Sequence, residues 1–143
     1  MAKNLKAFLK GNAAPIADVE VVVSDRFKDE NGDVVPWTVR IIRPGENDDL
    51  MKEATSSKFM PRSGMYASKV DMNRYLKALA ITSTVEPDLN DKDLQDSYGV
   101  LSASDLLDEM LTAGEYNEYL KQLQKINGFD VSFDDKVDEA KNS

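Results

Sequence analysis

The sequence predicts an α+β fold: a mainly α-helical domain with a β-hairpin near its start and a helical bundle at its C-terminal end. Three observations carry this reading. Val21-Val22-Val23 and the alternation of Trp37, Val39 and Ile41 are β-type runs, with the turn pair Asn31-Gly32 between them. Leu106, Leu107, Met110 and Leu111 recur as one helical stripe. Tyr116, Tyr119, Leu120, Leu123 and Ile126 form a second. The 143 residues suit one domain, taken as 1–143, with residues 129–143 an acidic end of the kind that frays into a flexible segment.

The elements follow in order. Leu5, Phe8 and Leu9 sit at helical spacing, and Gly11-Asn12 ends that short segment before the connector Ala13-Ala14-Pro15. The hairpin strands are expected at about 18–24 and 35–43, with Pro44-Gly45 stopping the second. A helix is expected over 46–58, where acids open the first turn and Leu50, Met51 and Ala54 give a modest apolar face. Residues 55–69 contain Pro61, Gly64, Phe59, Met60 and Met65, and read as an irregular or extended arm with room for a strand. Asp71 caps a helix through Ile81. Residues 85–89 read as a turn, and a short helix from Asn90 or Asp91 runs to Ser97 before Gly99. The next helix starts at Ser102 or Ser104 and breaks at Ala113-Gly114; the last runs from Glu115 to the stop at Gly128.

Composition excludes more chemistry than it suggests. The chain has no histidine and no cysteine, so Ser-His and Cys-His nucleophile pairs, disulfides and the usual zinc sites lack their atoms. Neither common glycine-rich phosphate loop is present. Asp88, Asp91, Asp93 and Asp96 form the densest acidic cluster, but Asp93 stands where a calcium loop needs its glycine and Gly99 where it needs its bidentate glutamate. The cluster reads as helix caps and a solvated face. No catalytic residue, metal site or cofactor is expected. A net charge of −8 opposes nucleic-acid binding, and a mean hydropathy of −0.47 fits a soluble chain. The apolar runs are too short to span a membrane, and the lysine-rich start lacks the apolar core of a signal peptide, so the cytoplasm is the expected location.

Two groups of residues are candidates for holding a partner. Leu106, Leu107, Met110 and Leu111, with Tyr116 and Leu120, form either core or a soft surface for an apolar helix, a use that suits methionine's flexible side chain. Met60 and Met65 on the arm are the second group. Trp37 and Phe27 are expected to anchor the hairpin against helices, because aromatic side chains bury large areas. Short helices and a hairpin edge could also support self-association into a homo-oligomer.

Several segments are similar to those of one family. Val21-Val22-Val23-Ser24-Asp25-Arg26-Phe27-Lys28-Asp29-Glu30-Asn31-Gly32 precedes Val35-Pro36-Trp37-Thr38-Val39-Arg40. Val85-Glu86-Pro87-Asp88-Leu89-Asn90 and Leu94-Gln95-Asp96-Ser97-Tyr98-Gly99-Val100 follow, then Leu106-Leu107-Asp108-Glu109-Met110-Leu111 and Gly114-Glu115-Tyr116. Together they resemble the XkdN-like tail assembly chaperones of phages and prophages of Gram-positive bacteria. The resemblance implies a non-enzymatic protein of the bacterial host cytoplasm, absent from the finished virion. Such a protein binds the tape measure protein, keeps that long helical chain soluble and helps tail tube subunits polymerise around it. The resemblance also implies a frameshift-extended form whose extra C-terminal domain contacts the tail tube protein.

The chain's own end is compatible with such a frameshift. Ala140-Lys141-Asn142 can be encoded GCA AAA AAC, which contains the slippery heptamer A AAA AAC; a plain charged terminus reads the same way. The leading alternative is a structural tail or head-completion protein retained in the virion. A carboxylate-based hydrolase would need two acids facing one cleft with one pKa raised, and nothing in the spacing selects such a pair. A nucleic-acid mimic would concentrate its acids on one face, whereas here they spread from Asp18 to Glu139.

Overall fold

A computed structural model describes residues 4–129. The order of elements is a 3₁₀ turn (Leu5–Phe8), β1 (Val19–Val21), β2 (Trp37–Val39), α1 (Pro44–Glu53), β3 (Thr55–Met60), β4 (Met65–Val70), α2 (Met72–Ser83), β5 (Thr84–Glu86), α3 (Lys92–Ser97), α4 (Ala103–Met110) and α5 (Ala113–Ile126). The architecture is α+β, as the periodicities imply.

The hairpin strands pair antiparallel, Val19 with Val39 and Val21 with Trp37, and are shorter than the runs 18–24 and 35–43. Burial alternates along β2, so Trp37 and Val39 point inward. The connection between the strands carries its own turn. The Asp29 carboxylate accepts from the Asn31 and Asp33 amides, and Gly32 takes φ +85°. Asn31 keeps a negative φ, so this is a turn closed by a left-handed glycine, not a two-residue turn with both residues left-handed.

Four boundaries depart from the sequence reading. Pro44 and Gly45 open α1 instead of merely stopping β2, because proline's fixed φ suits the first helical position and its missing N–H is not needed there. The helix expected over 46–58 ends at Glu53, and Thr55–Met60 forms β3, paired along its full length with Met65–Val70. Ala113 and Gly114 lie inside the first turn of α5; the break falls one step earlier, where Thr112 accepts from the Glu115 amide and Glu115 accepts from the Thr112 amide. Thr84–Glu86, whose last two residues fall in the turn expected at 85–89, form β5 on the free edge of β2, just before the cis peptide Glu86-Pro87.

The core lies between the three-stranded sheet and the helices. Trp37 is its pivot: it packs edge-on against Tyr119 of α5 at 5.2 Å and tilted against Phe27 at 5.8 Å. Val39, Leu79, Leu106, Leu107 and Leu123 are fully buried around it. The Tyr119 hydroxyl bonds Thr84 Oγ1 at 2.6 Å, and burial pushes its pKa up to about 12. Gly128 at φ +78° closes α5, with the Phe129 amide returning to the Gln124 carbonyl. Asn127 then ties this end to the strand side, its Oδ1 accepting from the Ile42 amide. Apart from Phe129, the acidic end at 129–143 lies outside the described residues, and so does Ala140-Lys141-Asn142.

Candidate partner-binding surfaces

The two groups of candidate residues fall in opposite environments. Leu106 and Leu107 have no exposed surface, and Met110, Leu111 and Leu120 are buried. Tyr116 is half-buried against the core and stacks under the Lys77 ammonium at 4.9 Å. The choice between core and soft surface therefore resolves to core for the five aliphatic residues. The physical reason is that α4 packs against α2 and turns its apolar stripe into the core. A partner docking on the folded surface does not reach them. Met60 and Met65 lie at the tip of the β3–β4 ribbon and are exposed, 44% and 67%.

The ribbon is an amphipathic arm. Its register sets Phe59 opposite Tyr66 and Met60 opposite Met65. Alternation then places Phe59, Tyr66 and Val70 on one face, and Met60, Met65, Lys58 and Lys69 on the other. Phe59 and Tyr66 hold each other, with ring centroids 5.3 Å apart, but both remain exposed. From Thr55 to Val70 there are three cations, Lys58, Arg62 and Lys69, and no acid. Three of the 18 cations and none of the 26 acids lie here, so the rest of the chain has 15 cations against 26 acids, a net of −11. The body is strongly acidic and the arm is basic. The Asp71 amide, bonded to the Ala54 carbonyl, closes the ribbon at its root.

A second surface is a small groove of about 260 Å³ lined by Phe27, Val35, Pro36, Trp37, Glu86, Pro87, Leu94, Tyr98 and Met110. The β2–β5 edge and the cis Glu86-Pro87 bond form one wall and α3 the other. Sequence reasoning found Phe27 and Trp37 as anchors but not the groove, because its far wall depends on β5 pairing with β2, a contact without a local signature.

Ion pairs fix the body. Arg26 Nη2 donates to Glu115 Oε1 at 2.6 Å and to the Met110 carbonyl at 2.7 Å, satisfying an unpaired acceptor at the end of α4. The Arg26 guanidinium, then Ser24 and the Thr112 amide, hold the Glu115 carboxyl at about 2, well below the usual carboxylate range. Arg40 grips Glu46 with two bonds, 2.9 and 2.5 Å, and this pair with the Arg43 amide also lowers Glu46 to about 2. Lys77 bonds Asp108, joining α2 to α4. Among the described residues no group of three or more His, Cys, Asp or Glu side chains is arranged to hold a metal, and no helix is long and apolar enough to cross a membrane.

Comparison with known proteins agrees with this architecture. Residues 5–141 match the model of the phage XkdN-like tail assembly chaperone family. The chain is 32% identical over 140 residues to the phage-like element PBSX protein XkdN of Bacillus subtilis (strain 168), covering 97% of this chain and 94% of that one. It is equally similar to protein YqbN of the same strain, over 97% and 93% of the two chains. The crystal structure of YqbN superposes with a TM-score of 0.76 at 30% identity, covering 91% of this chain and all of that one. Over nearly its whole length the chain belongs to the XkdN-like family of phage tail assembly chaperones.

Proposed function

We propose that the chain binds the tape measure protein of a phage or prophage tail, keeps it soluble and promotes tail tube assembly around it. It acts in the cytoplasm of the bacterial host and is left out of the mature virion. The observation that supports binding is the β3–β4 ribbon, which presents Phe59, Met60, Met65 and Tyr66 to solvent from an otherwise acidic body. Exposed apolar residues gathered on one element mark an interaction site, and methionine adapts to the varied apolar stretches of a long helical chain. Met60 and Met65 are the contacts; Leu106, Leu107, Met110, Leu111 and Leu120 are buried in the core of the body, with Tyr116 half-buried against it. The acidic body keeps loaded complexes mutually repulsive, and many weak contacts along one long partner add up. A frameshift at Ala140-Lys141-Asn142 supplies the longer form that contacts the tail tube protein.

The reading is tested by replacing Met60 and Met65 with Asp in a chain co-expressed with the tape measure protein. The doubly substituted chain stays folded, and the tape measure protein moves to the insoluble fraction. Unchanged solubility would remove the ribbon from the binding site. Detection of the chain in purified virions would instead favour a structural tail protein.

A further inference from the structure

The 3₁₀ turn Leu5–Phe8 buries none of its residues. Leu5, Phe8, Leu9 and Ile16 are exposed by 67%, 79%, 50% and 53%. A single helical turn without tertiary packing is not stable in water by itself, because nucleation costs more than one turn returns. Such a segment gains stability when something covers it. Its charge is one-sided as well: Lys3, Lys6 and Lys10 precede the first acid of the chain, Asp18.

The groove between β5 and α3 is the opposite kind of surface. Its lining is mostly apolar, with Phe27, Pro36, Pro87, Leu94 and Tyr98 around it. At about 260 Å³ it falls below the roughly 300–1,000 Å³ of small-molecule sites and matches one or two apolar side chains. Glu86 lines it, and the chain that runs on from Pro87 through α3, whose Leu94 also lines it, carries the exposed Asp88, Asp91, Asp93 and Asp96 against one cation, Lys92. A basic apolar segment and an acid-rimmed apolar groove are complementary in both charge and size.

They do not meet within one chain. Val21 pairs with Trp37 at the groove end of the sheet, and Val19 pairs with Val39 at the other end. The chain before Val19 therefore leaves the sheet away from the groove, where Lys10, Ala13 and Ile16 lie beside Arg43. We infer that residues 4–16 of one copy dock into the β5–α3 groove of a second copy, with Phe8 as the apolar anchor and Lys6 and Lys10 facing the acidic rim. The contact joins two different surfaces, so it either closes reciprocally into a dimer or continues head to tail. It stands independently of tape measure binding.

The test is the mass of the full chain in solution by light scattering after gel filtration. The unsubstituted chain is expected above its monomer mass of 15.9 kDa, with the excess falling as salt screens the charges. Phe8→Asp spoils the segment and should weaken association by about 30-fold or more, the loss of a central aromatic anchor. Val35→Lys with Glu86→Lys spoils the groove at two exposed positions and should do the same. Each variant keeps its melting temperature, and mixing the two restores a 1:1 complex, since one supplies a sound segment and the other a sound groove. A monomeric unsubstituted chain, association that survives Phe8→Asp, or a mixture that stays monomeric would each overturn the inference.

Discussion

Two carboxylates and one hydroxyl concentrate the residue-scale consequences. Glu115 and Glu46 are held at about 2, against an ordinary value of 4.5, by Arg26 and Arg40. A carboxylate whose pKa is lower in the folded state binds fewer protons there than when unfolded. Its contribution is thus complete above pH 4.5 and is lost as the pH falls through about 2. Thermal melts between neutral pH and pH 2 should show the melting temperature dropping across that window, with a shallower drop in Glu115→Gln. Equal acid sensitivity in the two proteins would remove the Arg26 pair from the account. Ser83 is fully buried, and its hydroxyl has no hydrogen-bond partner among the described residues. Ser83→Ala should therefore be neutral or stabilising by about 1 kcal/mol in denaturant titration, because it removes an uncompensated buried polar group. A loss of stability would show that the hydroxyl has a partner, such as an ordered water.

At the scale of elements, α4 and the β3–β4 ribbon divide the work between support and contact. Leu107 has no exposed surface, so Leu107→Ala should cost about 2–5 kcal/mol in equilibrium unfolding, and Met110→Asp should unfold the domain outright. The ribbon should behave oppositely: charges at Met60 and Met65 leave the melt unchanged. The helices were legible in the sequence because their stripes repeat at helical spacing and their caps are local. Asp71, Asp91 and Ser102 each accept a bond from an amide three residues on; Thr112 does the same for α5, whose start the sequence reading put at Glu115. The strands were only partly legible. Three residues of Val19–Val21 carry too little pattern to fix their ends, and β5 exists because β2 has a free edge to pair with. The ribbon's Thr55-Ser56-Ser57 start offers no alternating apolar signal, so its pairing depends on the partner strand. The stripe of α4 was visible, but periodicity does not tell which way a stripe faces; the position of α2 and the sheet decides that.

At the scale of the whole molecule, charge is the organising property. The acidic body, the basic ribbon and the basic N-terminal segment make a chain with a negative body that presents two cationic apolar elements. The absence of histidine and cysteine limited the chemistry from the start, and family membership then placed the chain in tail assembly. What no sequence pattern could supply was exposure, which separates Met60 and Met65 from the equally apolar Leu106 and Leu107. Co-expression with the tape measure protein of the same phage or prophage, followed by pull-down and a solubility assay, decides whether the chain holds that protein in solution. The expected outcome is a soluble complex, with the tape measure protein insoluble when expressed alone. No complex and no change in solubility, with both chains intact, would contradict it.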